Sequence, residues 1–386
     1  MPPLALPRLS AEALRATTVT GTWLEMPGHP RRFLRYAPEF IDDPSGAGIF
    51  GRIGAAVYHS PPVFVSAARN AKLVGYRTII SDGGFRDDQI ILGGESSEAT
   101  FLNKIASEDS FLNEETGLRR AGAPDIFTLE VGDRRERHIP GTVVVLCSAE
   151  PSNYGSFLFR VVPKLQTLTQ LGLNDLPMLV WTRVPSFQRL LQLQGVRPDQ
   201  LIQHEVQSIT TMDLALTPSL RNPNAYLDHE SHALMQRLSD RFMGPRYGRR
   251  LYISRLRYGK TTGSKRTMLN EEQLAIRLAD LNFEVIEPEC LSPEDQIATF
   301  ASADMIVGPS GSGMFNVVFC RPGTKVIDIE SEPHWIYAHA GLFASCQLRY
   351  GLFVGSTDPT DTRPVHRRWT VDIEPLMDRV ASFIHA

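Results

Sequence analysis

"IVGPSGSGMFNVVFCRPGTKVIDIE", residues 306–330, places three glycines (Gly308, Gly311 and Gly313) between two stretches that otherwise read as buried strand. Residues 305–307 are an apolar run and 325–329 a run rich in Val and Ile, while Met314, Phe315, Val318 and Phe319 recur at helical spacing. Strand, glycine turn, helix and strand make a βαβ unit, the building block of parallel α/β sheets. The turn then joins the carboxyl end of a strand to the amino end of a helix. Unpaired N–H groups point outward there, so an anion is welcome. The same glycines also fit a tight turn that needs positive φ. There is no G-x-x-x-x-G-K-[ST], and Asn316 stands where a dinucleotide fingerprint has its third glycine. Walker-type and nicotinamide sites are therefore disfavoured, and with them a dinucleotide oxidoreductase.

Outward from this unit the alternation continues. Upstream lie strand "RLYISR", helix "NEEQLAIRLADLN", strand "FEVIEP" and helix "SPEDQIATFASA". Before Gly244-Pro245 a second block reads strand "TVVVLC", helix "NYGSFLFRVVPKLQTLTQLG", strand "PMLVWT" and helix "VPSFQRLLQLQGV", closed by helix "LDHESHALMQRLSDRF". Strands alternating with helices imply parallel sheets covered on both faces. The expected organisation has four parts. Residues 1–140 form an irregular arm and a small antiparallel β-rich region, 141–244 and 245–372 form two Rossmann-like domains, and 373–386 form a terminal helix packing back on the first. Ligands in such sheets bind at the carboxyl ends of the strands.

Composition narrows the function classes. A net charge of −3 over 386 residues gives no global attraction to nucleic acid or anionic membrane. No apolar run approaches the roughly 20 residues that span a bilayer, although peripheral membrane association stays open. The N-terminus lacks a continuous apolar core of a signal peptide, and the four cysteines are far apart and read as reduced thiols, so a cytoplasmic protein is expected.

The segment 244–272 carries eight basic residues before its first acid, Glu271. A basic run is ordinarily a solvated face, but Arg255 follows a strand at its carboxyl end, and Lys265 and Arg266 sit on the loop into the next helix, with Asn270 as its expected N-cap. Basic loop and glycine turn can converge on one sheet edge, giving backbone donors plus Arg forks suited to a diphosphate. His229 and His232, with Asp228 and Glu230, are spaced as an amphipathic helix face rather than as a metal cluster.

From "RRLYISR" through "KRTMLNEEQLAIRLADLNFEVIEPECLSPEDQ" to "IVGPSGSGMFNVVF", with the upstream "NYGSFLFRVVPKL", the chain resembles glycosyltransferase family 61. The resemblance implies a GT-B-like α/β fold, two Rossmann-like domains facing across a cleft. It also implies inverting transfer of a sugar from a nucleoside-diphosphate donor to a glycan or glycoconjugate hydroxyl, without a prosthetic group and with a divalent metal undecided. By position, Arg255, Lys265, Arg266, Gly308, Ser310, Gly311, Ser312 and Gly313 would hold the diphosphate, and Asn316 would brace the turn. Asp328 and Glu330 would reach the ribose, and Asn153 and Tyr154 would lie on the acceptor side. The family's two motif histidines are Ser156 and Ser310 here, and its helix acid is Arg160. A serine is no base near neutral pH without help. The candidate bases are therefore Glu150, Asp82 and Asp87, with Ser156 beside them. A non-catalytic relative that binds sugar nucleotides or glycans is the alternative.

Overall fold

The computed structural model describes residues 5–6, 23–25, 32–43, 53–59, 63–81, 84–88, 117–120, 127–129, 134–182, 184–222, 226–244, 248–262, 266–331, 336–363 and 366–386. Asp82 and Lys265, candidates for the base and for the diphosphate site, lie outside them. The chain forms two compact units, Met1–Arg31 with Ser60–Pro223, and Arg32–His59 with Asn224–Ala386. The division falls at 223/224 rather than 244/245, so helix His229–Phe242 belongs to the second unit.

In the second unit every neighbouring pair of the main sheet is parallel. Phe283–Ile286 pairs with Arg249–Ile253, then follow Ala303–Pro309, Lys325–Glu330, Arg349–Val354 and the edge strand Phe40–Asp42. That edge strand comes from the stretch expected to be an irregular arm. Three residues, two of them apolar, give too short a periodic signal to read as a strand of a distant sheet. The central strands are buried on both faces, which explains their near-continuous apolar runs. On one face Ile327 and Ile329 join Met305, Val307 and Leu274, together with Leu376, Val380 and Phe383 of helix Ile373–His385. The terminal helix thus packs into the second unit's own core. Alternation along Lys325–Glu330 turns Asp328 and Glu330 to the opposite face, where both are fully buried.

The first unit holds a mixed sheet. Leu201–Gln203, Met178–Val180, Arg135–Val145 and Ser208–Pro218 are parallel, and Phe64–Val74, Thr78–Ser81 and Gly84–Arg86 continue it antiparallel. The expected small antiparallel sheet is therefore an extension of the parallel one. Strand Ser208–Pro218 carried no clear signal. The strand read as beginning at Thr142 begins at Arg135, because residues 135–138 are exposed and polar. The register of Arg135–Val145 against its neighbour shifts between Ile139 and Thr142, where Gly141 has φ +78°. The helix expected from "NYGSFLFRVVPKLQTLTQLG" splits into Tyr154–Ser156, a π-helical stretch Phe157–Val161, and Lys164–Gln170. Pro163 has no N–H to offer the carbonyl of Phe159, and Asn222 Nδ2 approaches that oxygen at 3.5 Å instead. No helix among the described residues is long and apolar enough to cross a membrane.

Candidate functional site

Strand Arg249–Ile253 ends at Ser254, and the chain turns there into helix Leu256–Thr262, a helix within what the sequence suggested was a Gly/Thr-rich loop. Glu271, the first residue of helix Glu271–Ala279, holds this turn. Its Oε1 accepts the Arg255 backbone N–H at 2.6 Å and the Ser254 hydroxyl at 2.9 Å. Burial raises the Glu271 carboxyl above its ordinary value, although those two bonds favour the charged form. Asn270 does not cap the helix with its side chain. Its amide exchanges hydrogen bonds with the backbone of Val371, donating at 2.7 Å and accepting at 3.1 Å.

Arg255 Nη1 donates to the carbonyl of Ser310 at 3.1 Å, linking the first strand end to the glycine turn. Arg266 forms a buried ion pair with Glu330 at the end of strand Lys325–Glu330. Arg255 and Arg266 both line one cavity of about 210 Å³, with Leu256, Met268, Glu271 and Trp369. Burial first, and then the neighbouring Arg266 charge, lower the Arg255 guanidinium from its ordinary value. An anion entering this cavity would relieve that repulsion. A larger cavity of about 470 Å³ lies at the opposite, amino end of the strands, lined by Gly248, Arg250 and Thr324 among others. None of the sequence-predicted site residues lines it.

The glycines have separate reasons. A Cβ on Gly308 would lie 2.9 Å from both Ile253 Cβ and Met314 Sδ, so Gly308 serves packing between strand and helix. On Gly311 a Cβ would lie 2.6 Å from Arg255 Nη1, so its absence admits the guanidinium. Gly313 Cβ would meet Ile253 Cγ2 at 3.3 Å, and Asn316 Nδ2 braces the turn by donating to the Gly313 carbonyl at 3.1 Å. Ser312 opens the 3-10 helix Ser312–Phe319, a tighter coil than the α-helix expected from the spacing.

Two expected ribose contacts are redirected. Asp328 is fully buried, and its Oδ2 lies 3.0 Å from Nδ1 of His339 on helix Ile336–Ser345. Glu330 is fully buried against Arg266 and accepts the Ser331 N–H at 2.8 Å. Neither carboxylate reaches solvent, so neither is positioned for a ribose. Ser310 is also fully buried, with its Oγ 3.1 Å from the same His339 nitrogen.

In the first unit, Glu150 has φ +50°, a left-handed backbone rare for a non-glycine residue. Its carboxylate accepts a short hydrogen bond from the Ser156 hydroxyl, and its carbonyl accepts the Asn153 N–H at 2.9 Å. Asn153 caps the helix, its Oδ1 accepting the Ser156 N–H at 3.2 Å. Burial raises the Tyr154 phenol. Asp87 is buried with Arg77 at 3.8 Å, which does not suit a base that must meet an acceptor hydroxyl. Its neighbour Asp88 pairs with Lys164 at 2.8 Å, both side chains fully buried, and also accepts the Ser148 hydroxyl at 2.5 Å. Sequence reasoning missed this pair and His339. A lysine in an apolar helix stretch was the available signal for the first, and nothing marked the second.

The His229/His232 stretch has a local explanation. Asp228 caps the helix, accepting the N–H groups of Glu230 and Ser231 at 3.1 Å each. Among the described residues no group of three or more His, Cys, Asp or Glu gathers as a metal site.

This edge of arginines and glycines lies in a segment with a known counterpart. The family model described as Glycosyltransferase 61 matches residues 154–327. The matched segment is that of a glycosyltransferase, and it belongs to glycosyltransferase family 61. It includes Arg255, Arg266 and the whole turn 308–313, and ends one residue before Asp328. No curated protein matches the chain.

Proposed function

We propose that the protein transfers a sugar from a nucleoside-diphosphate donor to a hydroxyl of a glycan or glycoconjugate, with inversion, in cytoplasmic assembly of a surface polysaccharide. The observation that carries the reading is the convergence of Arg255 and Arg266 on one cavity at the carboxyl ends of parallel strands, beside the Gly311 turn. Fixed cations there would hold the diphosphate and stabilise it as it leaves. A parallel α/β block in each unit suits the GT-B class. The donor is a substrate, so the reading calls for no prosthetic group. Titrating Mg²⁺ into the assay measures what a divalent ion adds to the two arginines.

Inversion needs a base for the acceptor proton, and Glu150 is our candidate because its unusual backbone is held by a ring of bonds from Asn153 and Ser156. Calorimetric titration of UDP, GDP and other nucleoside diphosphates tests the donor site. Arg255→Ala should weaken binding by about 1.5–3 kcal/mol, the worth of a charge-assisted hydrogen bond. Unchanged affinity in a folded Arg255→Ala protein removes that residue from the site. The second reading, a binding relative without turnover, is favoured by the burial of Ser156 and Ser310 at the two motif positions. Tight nucleotide binding without release of nucleoside diphosphate, across donors and acceptors, would select it.

A further inference from the structure

We propose that His339 is a positioning residue for the anion site: anchored by Asp328, it fixes Ser310 and, through the Ser310 carbonyl, the guanidinium of Arg255. The inference rests on the functional reading above only for its ligand. His339 is buried on helix Ile336–Ser345, outside the family-matched segment. Its Nδ1 lies 3.0 Å from Asp328 Oδ2 and 3.1 Å from Ser310 Oγ. A carboxylate oxygen facing a bare Nδ1 would set lone pair against lone pair, so the proton sits on Nδ1 and is shared between the two oxygens. The imidazole therefore donates toward Ser310 and cannot draw a proton from it through this nitrogen. That excludes an activated serine and leaves bracing as the chemistry of the trio.

The brace has one orientation. Phe315 and Phe343 wall the ring edge-on, with centroids 5.2 and 5.7 Å away. Phe315 belongs to the 3-10 helix that follows the turn, so the ring is fixed against the element it supports. From Ser310 the chain of contacts runs through its carbonyl to Arg255 Nη1 at 3.1 Å, in the space left by the missing Gly311 Cβ. The backbone N–H of Ser310 is tied to the Ile329 carbonyl at 2.8 Å. Asp328, His339 and Ser310 thus decide where the turn sits, and the turn decides where one arginine of the cavity points.

The test is calorimetric titration of the full chain with inorganic pyrophosphate and with UDP, alongside amide hydrogen exchange at Ser310 and Met314. His339→Ala should lower both affinities about five- to tenfold, the worth of roughly one hydrogen bond. His339→Asn, which keeps an N–H donor near the Nδ1 position, should recover most of the loss. Adding Ser310→Ala to His339→Ala should cost nothing further, since both cut one chain of contacts. Wild-type affinity in His339→Ala, or losses that multiply in the double variant, would overturn the proposal. If the wild-type protein binds neither probe, the donor-site reading fails, and the brace is judged by exchange alone. Faster exchange at Ser310 and Met314 in His339→Ala then upholds it, and unchanged protection sinks it. Should His339→Ala not fold, Asp328→Asn and Ser310→Ala carry the same comparison.

Discussion

Replacing Lys164 by Met would strand a carboxylate inside the first unit, and the cost can be worked from its contacts. Lys164 Nζ meets Asp88 Oδ2 at 2.8 Å and the carbonyls of Leu146 and Cys147 at 3.4 Å each, and both side chains are wholly inaccessible to solvent. Without the ammonium, Asp88 keeps the Ser148 hydroxyl on Oδ2 and the more distant Arg77 charge, and among the described residues Oδ1 has no hydrogen-bond partner. Removing one member of a buried pair costs about 3–5 kcal/mol. A domain of ordinary stability has about 5–15 kcal/mol in all. Lys164→Met should therefore shift the guanidinium midpoint strongly at constant slope. The double variant Asp88→Leu/Lys164→Met removes both charges and should recover most of the loss, since apolar replacement of a buried pair is often neutral.

The pH dependence of Lys164→Met has a definite sign. Burial pushes the Asp88 carboxyl up, but Lys164 and the Ser148 hydroxyl outweigh it and hold the group below its ordinary value. The stability it contributes is present above the unfolded value of about 3.9 and is lost as pH falls through the folded one. The gap between wild type and Lys164→Met should begin to close above the unfolded value, as the stranded Asp88 of the variant takes up its proton, and go on closing below it as the wild-type pair is lost. A penalty under about 1 kcal/mol, or a double variant as unstable as the single one, would refute the reasoning.

Other outcomes follow from the packing of both units. Gly308→Ala should lose about 1–3 kcal/mol of stability by overpacking against Ile253 and Met314. Gly311→Ala meets the flexible end of Arg255 at a φ of +159° that side chains rarely adopt, so it should cost about 1–3 kcal/mol and also weaken pyrophosphate binding, which Gly308→Ala should leave alone. The reverse pattern would contradict both assignments. His204 is pushed down to about 4, chiefly by burial, with its ring between the Thr210 hydroxyl and the Gly75 carbonyl. Its contribution to stability is complete above about pH 6.5 and is lost as pH falls toward the folded value, roughly 3 kcal/mol in all. His204→Gln should flatten that window in acid denaturation, and an unchanged acid profile would exclude His204 as its source. Glu150→Gln keeps shape and removes basicity, so turnover should fall by about 10²–10⁴ with donor affinity unaltered. Normal turnover in Glu150→Gln would exclude it as the base.

The sequence by itself determined the βαβ alternation of residues 249–330, the turn between strand and helix, and the placing of Arg255 at a strand end. These are local patterns, because a strand buried on both faces must be continuously apolar and a covering helix must repeat near 3.6 residues. Most of the family motifs lay in that same stretch, and the family match extends upstream of it, over residues 154–327. Tertiary structure alone decided which side chains meet. Phe40–Asp42 joins a sheet whose next strand is Arg349–Val354, more than 300 residues away in the chain, and no local signal encodes such a pairing. Asp328 and Glu330 look like exposed strand-end acids in sequence, yet parity and packing turn them inward to His339 and Arg266. His339 sits in a helix with no motif, and it matters only because that helix covers the face to which Asp328 points. The missing Cβ of Gly311 likewise gains its meaning from Arg255, 56 positions earlier, whose guanidinium occupies the space. Periodicity reports which face of an element is buried, whereas a site depends on what lies across from that face.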